Sequence, residues 1–586
     1  MNNASLELGG TNWAEKDGNI LGYSVGDTSG NFSPQEFTFA RGSNLSATRI
    51  DRAGLIVKGR ENVLLQSNQF DTTWGNNNTT ETSGQADKDG GTDAWLINST
   101  SSFGSVIQGI SSVSGVFTLS VYAKAGTNNW MLLRMLGSSN SRAWFDLENG
   151  VLGSTDGPTI ESKIESVGGG WYRCSVTGNM TSFSQVLLYP TNANLVVGAV
   201  GNIYIQDSQV ELGLAASPYI ETTTTTAQAG VLENTPRLNY TTGVANPYLL
   251  LEPSRTNLFP QSEYFGGGDW LYAGAGTTST INAAISPEGV QNAFKLIGSS
   301  NADNNGMFES FTISAGTEAY SFFAKAGEID ILQIGFGGTF GNTYANVNLT
   351  DGSLEIESGQ TTTIEPYADG WYRISCVATA TAGAGYWFVN IGDNPAMVRN
   401  GNYIGNGTDG LYLYGAQLEA GSYPTSYIPT YSVSATRAYD YTKFIDLQSK
   451  GIITASQGTL LIEMDNYNNG SVQFDVQNNN LDYALRPKFS SSDQNIFQRV
   501  NNVQTTVRTI TGLPAGRRRC AISWNGTSLI TSINGVSYTD TIDGSIAAEL
   551  FKIDRPNFNG TIFDLNQLLM FSTQLTEAEL NTLTTL

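Results

Sequence analysis

Short runs in which apolar and polar residues alternate recur along most of the chain. EFTFA at 36–40, FTLSVYAKA at 117–125 and WYRCSV at 171–176 all have this two-residue period. Successive side chains of a β-strand point to opposite faces of a sheet, so these runs predict strands with one buried face. Turns rich in Gly, Asn and Asp separate them. The pattern predicts an all-β protein.

Two local signals near the C-terminus are more specific. Asn534–Gly535 lies between apolar runs and predicts a two-residue β-hairpin with a type I′ turn. Thr576 is followed three residues later by Glu579, the spacing of a capping box. We therefore expect one short helix at about 577–584, at the end of an otherwise β domain.

The order of the motifs shows an internal duplication. NVLLQSNQF from Asn62 returns as NLFPQSEYF from Asn257, and SVYAKAG from Ser120 returns as SFFAKAG. GWYR and a Gln-x-Glu step also recur in the same order. Ordered repetition at long period indicates a duplicated domain.

The duplication predicts five segments. Residues 1–58 form an N-terminal arm, 59–228 a first module, 229–249 a linker, 250–440 a second module and 441–586 a different β domain. A chain of 586 residues has room for three or four domains. We expect residues 1–58 to form an arm, because the segment is too small for a large core of its own.

Charge and hydropathy exclude several classes of partner. The net charge is −22, with 52 acidic and 30 basic residues, which disfavours binding to phosphate backbones or anionic membranes. No apolar stretch of about 20 residues is present, so no membrane insertion is expected. The N-terminus also lacks the pattern of a secretory signal.

The chain contains no histidine, which excludes His-based nucleophilic and general-base catalysis. Glu211 and Glu419, in the repeated Gln-x-Glu steps, provide only one carboxylate per module, whereas glycosidases need two. We interpret both as buried partners of the backbone or of Arg173 and Arg373. We expect no enzymatic activity. The three cysteines, Cys174, Cys376 and Cys520, are predicted to be free buried thiols.

The repeated motifs resemble a known group of modules. AKAG, GWYR, GAQLEAGSYPTSYIPT and the SATR connectors are similar to jelly-roll carbohydrate-binding modules, and more closely to modules of bacteriophage fibre and decoration proteins. ISWNG, SINGV and LTEAEL resemble concanavalin-like or laminin-G-like sandwiches. The resemblance implies tandem β-sandwich (jelly-roll) domains and a C-terminal sandwich on the exterior of a virion, with the arm at 1–58 as the anchor to the particle. It also implies other virion proteins and host surface glycans as partners, and a homotrimer by analogy.

Aromatic side chains are the first candidates for a glycan site, because sugar faces stack on rings. Trp74, Trp171, Trp270 and Trp371 recur in both copies, which favours a core role. Aromatic residues without a counterpart are better candidates for ligand binding: Trp130, Trp144, Tyr386 and Trp387.

A structural Ca²⁺ is the only cofactor that the sequence suggests. DKDGGTD at 87–93 places Asp87, Asp89 and Asp93 in one glycine-containing turn. Clustered hard oxygen ligands of this kind suit calcium. A solvated acidic turn is the alternative.

Three other functions remain open at this stage. A tailspike-like depolymerase would need paired carboxylates in a groove. A purely structural capsid or collar decoration protein would pack against its neighbours without binding a ligand. A bacterial surface adhesin is the third alternative.

Overall fold

The computed structural model describes residues 4–11, 13–23, 34–42, 45–241, 244–267, 269–465, 472–478, 482–490, 492–514, 516–544, 546, 549–553 and 563–586. Nearly all regular structure in these residues is β-strand, so the predicted all-β fold class is confirmed. The described residues contain one α-helix, Glu577–Thr584, with the predicted Thr576–Glu579 capping box. It is too short to cross a membrane, and no other helix among the described residues could do so.

The second module is a sandwich of two six-stranded antiparallel sheets. The first sheet has the order Thr278–Ile285, Gln291–Ile297, Gly410–Ala420, Gly316–Lys325, Trp371–Ala380 and Thr361–Pro366. The second sheet has the order Leu271–Ala273, Gly306–Ile313, Gly383–Gly392, Ile331–Gly338, Tyr344–Asn348 and Ser353–Ser358. Their facing sides enclose an aromatic core. A short pair, Arg255–Asn257 with Ala435–Arg437, closes one end.

The first module repeats this topology with two continuous strands. Ser105–Ala125 and Trp171–Thr191 each pass through both sheets, where the second module breaks the same path into two strands. Arg60–Asn62 pairs with Ala227–Ala229 at the corresponding end. The other strands are Gly75–Asn77, Thr79–Gln85, Ala94–Ser99, Trp130–Leu136, Asn140–Asp146, Val151–Asp156, Thr159–Gly168 and Gly201–Leu212.

Strands from three distant parts of the chain build the C-terminal sandwich. Most come from the last segment: Tyr441–Ile445, Gln457–Asp465, Val472–Gln477, Ala484–Phe489, Gln494–Val500, Val503–Ile510, Arg518–Asn525, Ser528–Ile533, Val536–Thr541, Leu550–Ile553 and Phe563–Phe571. The hairpin predicted at Asn534–Gly535 is confirmed, with positive φ at both residues. The N-terminal segment adds Leu6–Gly9, Ala14–Lys16, Asn19–Tyr23 and Pro34–Ala40, and the linker adds Leu238–Asn239 and Tyr248–Leu251.

The predicted N-terminal arm is therefore wrong for the described residues 6–11, 13–23 and 34–40, which contribute strands to the C-terminal sandwich. Leu6–Gly9 pairs with Phe563–Phe571, and Pro34–Ala40 pairs with Tyr441–Ile445. Phe37 stacks on Phe444 with 4.7 Å between ring centroids. The segment is too small to form its own core, but its alternating apolar residues complete the core of the last domain.

The chain thus leaves the C-terminal sandwich and returns to it around each module. Two short connector strands, Thr48–Ile50 and Ile56–Lys58, precede the first module. Where the returning segments meet lie five charged side chains, here called the charge cluster: Arg41, Arg237, Glu252, Arg437 and Asp440. Each is at most 1% exposed.

Direct ion pairs connect the whole charge cluster. Arg237 contacts Glu252 at 2.6 Å and also binds Asp440. Arg437 contacts Glu252 at 2.9 Å, and Arg41 contacts Asp440 at 3.2 Å. Burial alone would raise the pKa of Glu252, but the guanidinium groups of Arg437 and Arg237 lower it to about 2.

Candidate functional site

The aromatic candidates occupy different environments. Trp387 is fully buried in the core of the second module, where its ring stacks on Tyr320 at 3.9 Å. Its prediction as a glycan contact is wrong because it points between the two sheets. Tyr386, the preceding residue, points outward and is half-buried, and its hydroxyl accepts a hydrogen bond from Arg399 at 3.1 Å.

Trp130 and Trp144 come together on the outer face of the second sheet of the first module. They belong to a small apolar cluster with Leu132, Leu187 and Tyr189. Trp144 is only 2% exposed, and its Nε1 donates to the backbone oxygen of Val196 at 2.8 Å. Because the loop at 192–200 covers this ring, Trp144 offers no open stacking face. Trp130 is half-buried beside it.

The acidic turn at 87–93 is closed by its own backbone. The Asp87 carboxylate accepts hydrogen bonds from the amides of Asp89, Gly91 and Asp93 at 2.8, 2.7 and 3.0 Å. The ammonium of Lys88 lies between Asp89 and Asp207. No group of three or more acidic, Cys or His side chains in the described part of the chain is placed to hold a metal ion. The three aspartates therefore do not form the predicted calcium site.

The features shared by the modules are structural. Asn62 and Asn257 each donate to two backbone carbonyls and accept from two amides, in matching positions. Glu211 accepts from the amide of Ser217, and Glu419 accepts from that of Thr425, both at 2.8 Å. The predicted backbone role of both glutamates is confirmed.

Arg173 and Arg373 donate to the backbone oxygens of the same two turn residues, so they do not pair directly with the glutamates. The four recurring Trp residues and the three free cysteines are buried, as predicted.

The structure also shows a cleft that the sequence did not indicate. It lies between the outer face of the first sheet of the second module, the linker strand Tyr248–Leu251 and the connector strand Thr48–Ile50. Its volume is about 620 Å³, within the range typical of small-ligand sites. We call it the interdomain cleft.

Aromatic residues specific to the second module line the interdomain cleft. Tyr367 packs edge-on against Phe323 with 5.0 Å between ring centroids. Tyr423 lies under the guanidinium of Arg255, at 5.4 Å from its ring centroid. The first module has Val167 and Ala215 at the positions of Tyr367 and Tyr423. These rings are therefore not required by the shared scaffold.

Polar groups complete the lining. Thr361, Thr363 and Glu365 are exposed along one edge of the cleft. Arg373 is 7% exposed and donates to the hydroxyl of Ser321 at 3.1 Å, while its Nε has no hydrogen-bond partner among the described residues. Apolar rings beside hydroxyl, carboxylate and guanidinium groups provide the chemistry that a carbohydrate needs for stacking and orientation.

Comparison of the two copies could have located this site. Tyr423 stands in GSYPTSY where the first copy has GLAASPY, so it is a further aromatic residue without a counterpart in the first module. No local sequence pattern indicates the side of the cleft that the linker forms, because the linker residues approach the second module only through the tertiary fold.

The sequence matches no protein family model and no curated protein. Among solved structures, the chain is similar to the tandem CBM22-1–CBM22-2 domain of Paenibacillus barcinonensis Xyn10C, with 12% identity, 65% of this chain and 100% of that chain covered, and a TM-score of 0.21. It is also similar to domains LG4-5 of the mouse laminin α1 chain, with 8% identity, 48% and 94% covered, and a TM-score of 0.16. Because both TM-scores are far below 0.5, we draw no functional argument from these similarities.

Proposed function

We propose that the protein is a non-enzymatic component of the exterior of a bacteriophage particle, a fibre or decoration protein that binds glycans in the interdomain cleft. The cleft carries the glycan part of this proposal, because it combines Tyr367 and Tyr423 with hydroxyl groups that the first module lacks at that place. The virion part rests on the resemblance of the repeat motifs. Host or surface glycans are the proposed ligands, and other virion proteins and further copies of the chain are the proposed partners.

One carboxylate of the cleft, that of Glu252, is unsuited to the proton donation that hydrolysis needs. A glycosidase needs one carboxyl group with a raised pKa to protonate the leaving group. Glu252 lines the cleft, but its pairs with Arg237 and Arg437 hold its pKa at about 2, so it is ionised at neutral pH. It therefore does not supply that proton.

A glycan array with the full-length protein tests the proposal. We expect binding to a subset of glycans, and we expect Tyr367→Val combined with Tyr423→Ala to weaken it roughly tenfold or more, about 1.4 kcal/mol. Both substitutions install the smaller residues that the first module has at these positions, Val167 and Ala215. Trp130→Ala on the first module is the matched control and should leave binding unchanged.

Other outcomes would favour the alternatives. Loss of binding in Trp130→Ala alone would move the site to the first module. No binding by the unmodified protein would favour a purely structural decoration protein. Sustained release of reducing ends from host capsule would favour a depolymerase. Labelled antibodies on intact particles test the proposed location, and absence of the chain from purified virions would contradict it.

A further inference from the structure

Lys58 belongs to the connector before the first module, but its ammonium lies inside the second module. Its Nζ contacts both carboxylate oxygens of Glu263, at 2.9 and 3.1 Å. A third contact, at 3.0 Å, goes to Glu288. An ammonium has three N–H donors, so these three oxygens satisfy it completely. The Lys58 side chain is 8% exposed, and those of Glu263 and Glu288 are 1% and 7% exposed.

The side chains described in contact with this ammonium belong to the second module. The hydroxyls of Tyr414, Tyr427 and Tyr431 all donate to Oε1 of Glu263, at 3.1, 3.1 and 3.2 Å. The Tyr431 ring also lies 5.3 Å from the Lys58 ammonium, within the range of a cation–π contact. We call these side chains together the ammonium socket.

The first module also has a lysine ammonium near this position, but that lysine belongs to the module itself. Lys88, within its own acidic turn, contacts Asp207 at 3.1 Å and binds Asp89. In the second module Pro287 stands at the position of Lys88, and Glu263 stands at the position of Asn68. The second module thus has no lysine at this position of its own loop. It has an additional acidic residue, Glu263, which pairs with Lys58 of the connector.

We propose that the ammonium socket is a binding site for a primary ammonium group, and that Lys58 seated in it locks the connector and the two modules into one unit. The socket provides three carboxylate oxygens and an aromatic face in the geometry that a primary ammonium needs. Burying two carboxylates without their cation is strongly unfavourable. The socket is therefore built around an occupant supplied from outside the second module.

The test removes the side chain and offers its charged end as a free ion. We expect Lys58→Ala in the full-length protein to lower the unfolding midpoint by roughly 5–15 °C. Propylammonium chloride at millimolar concentration should restore part of this loss. Tetramethylammonium chloride, which carries the same charge without N–H donors, should not. Lys88→Ala is the matched control, because it leaves one buried carboxylate, that of Asp207, while the other partner, Asp89, is 70% exposed, and it should show no selective response to propylammonium.

Three results would overturn the proposal. They are an unchanged unfolding midpoint in Lys58→Ala, equal effects of the two ammonium salts on that variant, or an equally selective response to propylammonium in Lys88→Ala. If Lys58→Ala does not accumulate as soluble protein, Lys58→Met combined with Glu263→Gln and Glu288→Gln decides. This variant removes the charges together, so we expect soluble protein that does not respond to propylammonium. Insolubility of this variant as well would also overturn the proposal.

Discussion

Asp440→Asn should lower the free energy of unfolding by about 3–5 kcal/mol, the range measured when one partner of a buried ion pair is removed. Asp440 binds Arg41 and Arg237 and accepts the amide of Glu252 at 2.9 Å. The substitution keeps the shape of the side chain but leaves three buried guanidinium groups facing a single carboxylate. The resulting repulsion has no solvent to screen it, because all five side chains of the charge cluster are buried.

Urea denaturation followed by far-UV circular dichroism measures this loss. Asp156→Asn is the matched control, since Asp156 pairs with Arg142 at 3.1 Å on the surface, with side-chain exposures of 54% and 28%. An exposed pair of this kind contributes about 0–1 kcal/mol. Equal losses in the two variants would contradict a stabilising role for the charge cluster.

The charge cluster also predicts a response to acid. The pKa of Glu252 lies at about 2 in the folded protein and near 4.5 in the unfolded chain. A lowered carboxyl pKa stabilises the fold above the unfolded value, and that stabilisation disappears as the pH falls from about 4.5 to about 2. We therefore expect the charge cluster to keep its stabilising contribution at pH 5, well below neutrality.

The sequence predicted the strands well because their signal is local. EFTFA, FTLSVYAKA and WYRCSV alternate within a few residues, and the structure places strands at all three. Pairing between distant segments leaves no such signal. Leu6 lies opposite Met570 in the sheet, and neither residue identifies its partner from sequence. For this reason the sequence alone predicts an arm where the structure has strands of the C-terminal sandwich.

The candidate site could likewise be predicted only in part from the sequence. Tyr386 and Trp387 are adjacent on one strand and so must point to opposite faces, but the alternation does not say which face is inside. Trp144 does point outward, yet the loop at 192–200 covers it. The interdomain cleft draws its walls from the connector, the linker and the second module, so only the folded chain brings Tyr248 near Tyr367.

A buried acid in the second module gives the second large expected effect. Glu309 occupies the position that Gln108 holds in the first module. The Gln108 side chain accepts from the amide of Leu65 and donates to its carbonyl, both at 2.7 Å. Pro260 replaces Leu65 in the second module and has no N–H to donate. Among the described residues, Oε2 of Glu309 accordingly has no hydrogen-bond partner.

Glu309→Gln should therefore stabilise the protein at alkaline pH. Burial, with a smaller contribution from Asp269, raises the pKa of Glu309 from 4.5 to about 8. The folded state holds this proton where the unfolded chain has released it, so the stability that it provides is complete below pH 4.5 and falls as the pH rises to about 8. At 1.36 kcal/mol per pKa unit, the change is on the order of 3–5 kcal/mol.

Unfolding free energies of the native protein and Glu309→Gln, measured from pH 5 to pH 8.5, should diverge steadily, with the variant the more stable at the upper end. Comparison of the two proteins cancels the contribution of the other acidic groups, including Glu318, whose pKa burial raises to about 7. Gln108→Glu is the reciprocal control, because it places a carboxyl group at the same position of the first module and should introduce the pH dependence that Glu309→Gln removes. Parallel stability curves for the native protein and Glu309→Gln would mean that Glu309 is already ionised in the folded state, and that its environment is wetter than its 6% exposure indicates.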